Sequence, residues 1–226
     1  MSVLITVGIV LAAMEILSWV ADSLEWSGET LPPPNINDVL AEHYKPEPCD
    51  IEMREQCQLL LQRFFEEPED MPMYQRIDYK MNSLDEKQKK QLLLDIAKEA
   101  AVVMNVKIDR FFFEDSTSMG CYNFMDNSIM LSNAYLSIDQ SNVEIVKTIF
   151  HELKHAVQYN AIGTNGNVWG YSQDTLIAWA NNFANYISGS VDPEGYMTQP
   201  VEIDGFGFEC FVIPKPGMEV QNVNVA

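Results

Sequence analysis

The stretch TIFHELKHAVQYN, residues 148–160, constrains the fold most strongly, because its pattern is that of one helix with two different faces. His151 and His155 lie four residues apart and share one of these faces. The opposite face is an apolar stripe at helical spacing, formed by Val146, Ile149, Phe150, Leu153 and Val157. We therefore expect a helix from a capping box, Ser141 to Glu144, to about Tyr159, with its stripe in the core and its histidines toward a cleft or solvent.

The order His-Glu-x-x-His gives this helix a chemical meaning. Two imidazoles one turn apart can each place a ring nitrogen at about 2.0–2.1 Å from one Zn²⁺ ion. Glu152 follows His151 directly, so its carboxylate would lie beside the metal and could take a proton from an attacking water. The motif predicts a zinc site with His151 and His155 as ligands and Glu152 as general base. A catalytic zinc needs a third protein ligand as well.

Acidic residues in YMTQPVEIDGFGFEC, residues 196–210, are the candidates for that third ligand. The proline of this segment suits the first turn of a helix, which puts Glu202 early on the helix and Glu209 on the same face. Asp204 is directed away from that face, and we interpret it as an outer carboxylate that orients a histidine. The remaining histidine, His43, lies in a proline-rich stretch and is not expected to bind the metal.

Three segments together resemble the small single-domain zincin metallopeptidases of the gluzincin type. They are CYNFMDNSIMLSNAYL, read as a hairpin, the helix TIFHELKHAVQY, and QPVEIDGFGF, which is similar to the QPxExDAxxF form found in such proteins. The resemblance spans residues 120–211. It implies a zinc peptidase, an endopeptidase rather than an exopeptidase, with Glu202 as the third ligand beside His151 and His155. Glu152 takes the role of the base.

The chain departs from that form at two glycines. Gly205 stands where alanine is usual, and a second glycine, Gly207, comes two residues later. Each glycine weakens a helix by about 1 kcal/mol relative to alanine. Close packing against the active-site helix is the expected reason for both. Catalysis also needs a donor aimed at the oxyanion, for which Tyr196 is the first candidate and Tyr159 the second. Packing in the domain is the competing interpretation of both tyrosines.

An α+β domain over residues 51–214 is the predicted architecture, with a small β-sheet between helices and a tail at 215–226. The helices include one ending before Pro68 and one that starts at a capping box, Ser83 to Glu86, and runs to about Val106. Residues 172–188 form a further core helix by their apolar stripe. KIDRFFFED reads as a strand, and SIMLSNAYL as a strand that is either a sheet edge for an extended peptide or an ordinary core strand.

The amino-terminal residues allow two interpretations. Val3 to Ala21 is almost wholly apolar and has nearly the length of a membrane span. Glu15 argues against a span, and the absence of Lys or Arg before Lys45 argues against a signal peptide. Residues 1–30 are therefore either a hydrophobic helix that anchors or exports the protein, or a helix buried against the domain or a partner in a cytoplasmic protein. Residues 31–50 read as a proline-rich, extended connector.

Charge and cysteine usage narrow the function. The net charge of −19, from 33 acidic and 14 basic residues, would repel nucleic acid, so a peptide or protein is the expected partner. The four cysteines contain no CxxC pair, and either thiols or up to two disulfides fit the sequence. A non-catalytic zincin-fold binding or regulatory module is the alternative to a peptidase. Glu152 favours the enzyme, because metal binding alone does not need it.

Overall fold

The computed structural model of the chain describes residues 35–68, 70–137, 142–163 and 166–214. The predicted hydrophobic helix of residues 1–30, the tail at 215–226 and Ser141 of the predicted capping box lie outside the described residues. Within the described ranges, no helix has both the length and the apolar character that crossing a membrane requires.

Nine helices and one three-stranded sheet form the described part of the chain, which confirms the α+β class. The helices are α1 (Ile36–His43), α2 (Pro48–Phe64), α3 (Met73–Asn82), α4 (Glu86–Val103), α5 (Ala134–Ser137), α6 (Asn142–Ile162), α7 (Gln173–Ala184), α8 (Pro193–Met197) and α9 (Pro200–Val212). The strands are β1 (Arg110–Glu114), β2 (Gly120–Asn123) and β3 (Ser128–Ser132).

The sheet has the strand order β1-β3-β2, in which β3 pairs parallel with β1 and antiparallel with β2. The predicted strand and hairpin are therefore confirmed, and Asn127 takes the left-handed conformation, φ 51°, at the hairpin turn. Of the two interpretations of the β3 segment, the core strand is correct and the sheet edge is wrong. β3 is central and almost wholly buried, whereas β2 is an edge strand that packs on α6.

Helix α6 is the centre of the fold, because other elements cover both of its faces. All five residues of the predicted apolar stripe are buried in the core. The opposite face, expected toward a cleft or solvent, is covered by α9 instead. The side chains of His151 and His155 are only 7% and 12% exposed as a result. The histidines thus lie at an interface between two helices.

The amino-terminal part of the described chain differs from the predicted extended connector. Helix α1 forms there because Asn35 caps it, its side chain accepting a hydrogen bond from the amide of Asn37, and because two of its apolar residues are buried. Pro48 occupies the first turn of α2, where a missing N–H costs nothing. Tyr44, between the two helices, packs edge-on against Phe211 of α9 with ring centroids 5.1 Å apart. Residues 36–48 are therefore packed against the domain.

Two helix boundaries also differ from prediction. The capping box of α4 is formed by Asp85 and Gln88, not by Ser83 and Glu86. Ser83 instead follows the last residue of α3 and donates its hydroxyl to the carbonyl of Lys80. Aspartate and serine cap helices about equally well, so tertiary packing decides between such neighbouring sites. Helix α4 ends at Val103, three residues before the predicted end.

No disulfide joins any of the four cysteines, all of which lie in the described part of the chain. Cys57 and Cys210 are buried, Cys49 is half-buried and Cys121 is exposed. Of the two alternatives that the sequence allows, the thiol form is the one in this structure.

Candidate metal centre

Three side chains converge where α6 packs against the first turn of α9. Nε2 of His151 lies 3.0 Å from Nε2 of His155. The carboxylate of Glu202 approaches both rings, with Oε2 at 3.2 Å from His151 Nε2 and Oε1 at 3.4 Å from His155 Nε2. One ligand atom from each residue falls within 4.8 Å of the other two. The structure thus brings together the three residues that the sequence predicted as metal ligands.

The close approach of α9 to α6 depends on Gly205. A β-carbon at this position would lie 2.9 Å from Cε1 of His151, a distance that real side chains do not adopt. Gly207 has a different role, because a β-carbon there would lie 2.2 Å from Cδ2 of Tyr44. Packing against α6 therefore explains Gly205, whereas Gly207 makes room for Tyr44, which lies between α1 and α2.

The carboxylates of this cluster favour a positive charge on or between the two histidines. Burial by itself would lower the pKa of His151, but the carboxylates of Glu202 and Glu209 outweigh it and raise that pKa well above its usual value. The pKa of His155 is raised in the same way, since Glu202 outweighs the effect of burial. Burial would raise the pKa of Glu202, yet the two histidines hold it well below the usual range. Glu202 is therefore an ionised carboxylate in a buried site.

The donor atoms fit a Zn²⁺ ion. Bonds of about 2.0–2.1 Å in a tetrahedron place neighbouring ligand atoms about 3.3 Å apart. The two ring nitrogens are 3.0 Å apart, and each lies 3.2–3.4 Å from a different oxygen of Glu202, so the three side chains are close enough to share one ion. Oε2 of Glu202 is buried and accepts no hydrogen bond from any described residue. A buried carboxylate oxygen that accepts no hydrogen bond is costly, and a bound cation would remove that cost. Two histidines and one carboxylate are also a donor set that zinc commonly has in enzymes.

The second ring nitrogen of each histidine faces an outer partner. Oε1 of Gln158 lies 2.9 Å from Nδ1 of His155, and Oε2 of Glu209 lies 3.5 Å from Nδ1 of His151. Metal-binding histidines usually donate this second N–H to such a group. Glu209, the alternative third ligand, is therefore on the far side of His151 from the converging atoms. Asp204 contacts Gln158 and not a histidine, accepting from Gln158 Nε2 at 2.7 Å.

Glu152 is held beside the cluster by the edge strand. Its Oε2 accepts a hydrogen bond from the amide of Tyr122 at 2.7 Å. Gly120 allows this approach, since a β-carbon there would lie 2.5 Å from Cγ2 of Thr148 and 3.1 Å from Cγ of Glu152. Burial is the main cause that raises the pKa of Glu152 above its usual value. A carboxylate with a raised pKa is a stronger base, as a proton acceptor at this position requires.

Two tyrosines lie on the Glu202 side of the centre. Tyr186, which follows α7, donates its hydroxyl to Oε1 of Glu202 at 2.7 Å. Tyr196 packs edge-on against Tyr186 with ring centroids 6.2 Å apart, and burial followed by the charge of Glu202 raises its pKa. Tyr159 instead stacks on Phe124, 5.2 Å away. Tyr196 therefore lies near the predicted metal site, and Tyr159 belongs to an aromatic cluster.

Several contact residues were not predicted from the sequence. Tyr186 falls in the predicted helix of residues 172–188, but α7 ends at Ala184 and leaves this tyrosine beside Glu202. Gln158 had a readable signal, because it follows His155 by three residues on the same helix. Tyr122 had none, since its contribution is a backbone amide. His43 is at the end of α1, and the metal-ligand cluster found among the described residues does not contain it.

A cleft of about 750 Å³ adjoins this region, between the end of α4, the β2–β3 hairpin and α6. Its walls combine apolar and aromatic side chains, including Phe124 and Tyr159, with polar ones, including Asn105 and Lys107. Tyr122 also lines it, and the amide of this residue binds Glu152. The cleft and the predicted general base are therefore linked by one residue.

No protein-family model, curated protein sequence or solved structure matches this chain. The gluzincin resemblance accordingly stays a prediction from the motifs, and α+β is the statement of fold that the structure supports.

Proposed function

We propose that the protein is a zinc-dependent peptidase in which Glu152 is the general base. The observation that carries the proposal is the convergence of His151, His155 and Glu202, whose ligand atoms lie within 4.8 Å of one another, with the carboxylate of Glu152 buried beside them. His151, His155 and Glu202 would hold a Zn²⁺ ion, which would polarise a substrate carbonyl and lower the pKa of a water to about 7.

Glu152 is suited to move the proton. The amide of Tyr122 occupies its Oε2, which leaves Oε1 for the attacking water. The carboxylate takes one proton from this water as its oxygen bonds to the peptide carbon, and then gives the proton to the nitrogen as the C–N bond breaks. The second proton of the water stays on the new carboxyl group until it passes to the amine, so the products are a carboxylate and an ammonium group. Tyr196 is the proposed donor to the oxyanion, because it lies beside Glu202 with a neutral hydroxyl.

The surroundings support a peptide or protein as the substrate. The cleft that shares Tyr122 with the site is lined by apolar and aromatic side chains together with asparagines and one lysine, a mixture that can contact both the side chains and the backbone of a peptide. The net charge of −19 opposes nucleic acid.

A non-catalytic binding or regulatory module with the same metal is the competing proposal. The observation in its favour is burial, since the side chain of Glu202 is 1% exposed and structural zinc sites are closed to solvent. Against it stands Glu152, whose carboxylate is buried at a cost in desolvation although it is not needed as a ligand.

Substitution of Glu152 by glutamine separates the two proposals. Zinc content and cleavage of a quenched fluorescent peptide library are measured for the wild-type protein and for Glu152→Gln. We expect turnover to fall by about 100-fold or more, the range for a lost general base, while zinc stays bound. Glu99→Gln, on the exposed face of α4, controls for the lost charge. Full turnover in Glu152→Gln would contradict the mechanism, and a zinc-bound wild type without turnover would favour the module.

A further inference from the structure

A buried charge network lies behind the metal centre, around the lysine of the HELKH motif. Lys154 is fully buried on α6. Its ammonium donates to Asp50 of α2 and to the hydroxyl of Tyr171 at 2.7 Å, and it lies 3.3 Å from Oδ2 of Asp204 on α9. Tyr171 also donates to the carboxylate of Asp50 at 2.6 Å. Three helices therefore meet at one lysine.

Aromatic rings complete the surroundings of this charge. The ammonium lies 4.7 Å from the ring centroid of Tyr171, 5.1 Å from that of Phe208 and 5.5 Å from that of Trp179. An ammonium in such surroundings persists only when its charge is compensated, which the two carboxylates do. Removing one member leaves the others as uncompensated charges, so the network fixes the positions of all of them.

The network is connected to a metal ligand through one amide. Nε2 of Gln158 donates to Oδ2 of Asp204 at 2.7 Å and to the carbonyl of Val201 at 3.0 Å. Both contacts need the –NH₂ group, so they set which end of the amide faces the histidine. Oε1 of Gln158 is then directed at Nδ1 of His155, 2.9 Å away. An oxygen at that place accepts only from a protonated Nδ1, which leaves Nε2 as the nitrogen available for a metal.

We propose that Lys154 is a positioning residue for the metal centre, which acts through Asp204 and Gln158 to hold His155 in the orientation and tautomer that bind Zn²⁺. The inference rests on the zinc site of the proposed function. Asp50 gives it a further consequence, since this residue lies on α2, outside residues 120–211 that resemble gluzincins. The amino-terminal helices thereby take part in the support of the metal site.

Zinc affinity, measured by competition with a fluorescent chelator, tests the inference without a substrate. The full chain is compared with Lys154→Met, with Asp50→Asn and with Gln158→Met, the last of which breaks only the link and keeps the charged network. We expect each variant to bind zinc about 10- to 100-fold more weakly, as is typical when a residue that orients a metal ligand is changed. NMR of the zinc-loaded wild type should also show a slowly exchanging Nδ1–H of His155, which Gln158→Met loses.

Lys147→Met is the matched control. Lys147 is a second buried lysine of α6, and its ammonium lies 3.6 Å from Sγ of Cys210, apart from the Gln158 link. This control should lower stability but leave zinc affinity within about threefold of the wild type. That change is smaller than the loss of affinity typical of residues that orient a metal ligand.

The outcomes separate the two proposals. Wild-type zinc affinity in all three network variants, or an equal loss in Lys147→Met, would overturn the positioning role alone. Zinc binding by the wild type without peptide cleavage would overturn only the peptidase. A wild-type chain that binds no zinc would overturn both.

Discussion

Gly205 of α9 lies directly against the imidazole of His151, where a β-carbon would be 2.9 Å from Cε1. Gly205→Ala should therefore displace His151, a proposed metal ligand. We expect zinc affinity to fall by about 10-fold or more, the scale of effect seen when a ligand loses its support, even though alanine favours the helix by about 1 kcal/mol. Chelator competition measures the affinity, and an unchanged value would show that α9 does not depend on this glycine for its approach.

Gly207→Ala serves as the comparison, because its β-carbon would meet the ring of Tyr44 and not a ligand. We expect the free energy of unfolding in urea to fall by about 1–3 kcal/mol from overpacking, with zinc affinity preserved. Replacing the ring by a smaller side chain in Tyr44→Leu should relieve the clash. The double variant is therefore expected to lose less stability than the sum of the losses in the two single variants. Additive losses would contradict this contact.

Glu202 and Glu209 should differ in their effect on zinc binding. Glu202→Gln removes the proposed third ligand and is expected to weaken zinc binding by more than about 100-fold, beyond the range for residues that only orient a ligand. Glu209→Gln removes only the carboxylate 3.5 Å from His151 Nδ1 and should cost about 10-fold. Isothermal titration with zinc gives both values. A larger loss for Glu209→Gln would show that the third ligand is wrongly assigned.

The two tyrosines beside Glu202 should separate binding from catalysis. Tyr196→Phe removes the proposed oxyanion donor, and we expect kcat to fall by about 100-fold or more while zinc stays bound. Tyr186→Phe removes the hydrogen bond to Oε1 of Glu202, so its main effect should be on zinc affinity. Steady-state kinetics and zinc titration of both variants test this division. Full kcat in Tyr196→Phe would show that Tyr196 only packs in the domain and does not donate to the oxyanion.

Thiol reactivity checks the fold independently of the metal. Burial raises the pKa of Cys49 to about 11, so less than about 1% of this thiol is ionised at pH 8. Burial raises the pKa of Cys57 as well, and this residue has no exposed surface. Cys121 is exposed on β2. Cys210 on α9 is buried as well. With Ellman's reagent at pH 8 we therefore expect one fast thiol, absent in Cys121→Ser; a second fast thiol would contradict the packing of α2 or of α9.

The proposed ligands could be predicted from the sequence because helix geometry determines which residues share a face. His151 and His155 are four residues apart, which places them on the same face of one helix. The proline before Glu202 marks the first turn of the next helix and so sets the position of Glu202 on it. Burial of the histidines was not predictable in this way, because it depends on which element covers the second face of α6. Gly205 marked that contact in the sequence, since helices rarely place glycine in their interior without a packing reason.

The remaining parts of the site come from contacts that are distant in sequence. Asp50 lies 104 positions before its partner Lys154, and no periodicity relates the two. Tyr122 contributes a backbone amide, which every residue except proline has. The central place of β3 depends on its parallel pairing with β1, and a strand pattern alone does not show which neighbour it has.

Zinc removal and return tests the central claim most directly. The purified full chain is analysed for metal, treated with 1,10-phenanthroline, dialysed and resupplied with Zn²⁺, while cleavage of the peptide library is followed. We predict one zinc ion per chain, loss of cleavage with the metal, and its return with zinc in the wild type but not in Glu202→Gln. Cleavage that persists in the metal-free protein, or a chain that binds no zinc, would contradict the account.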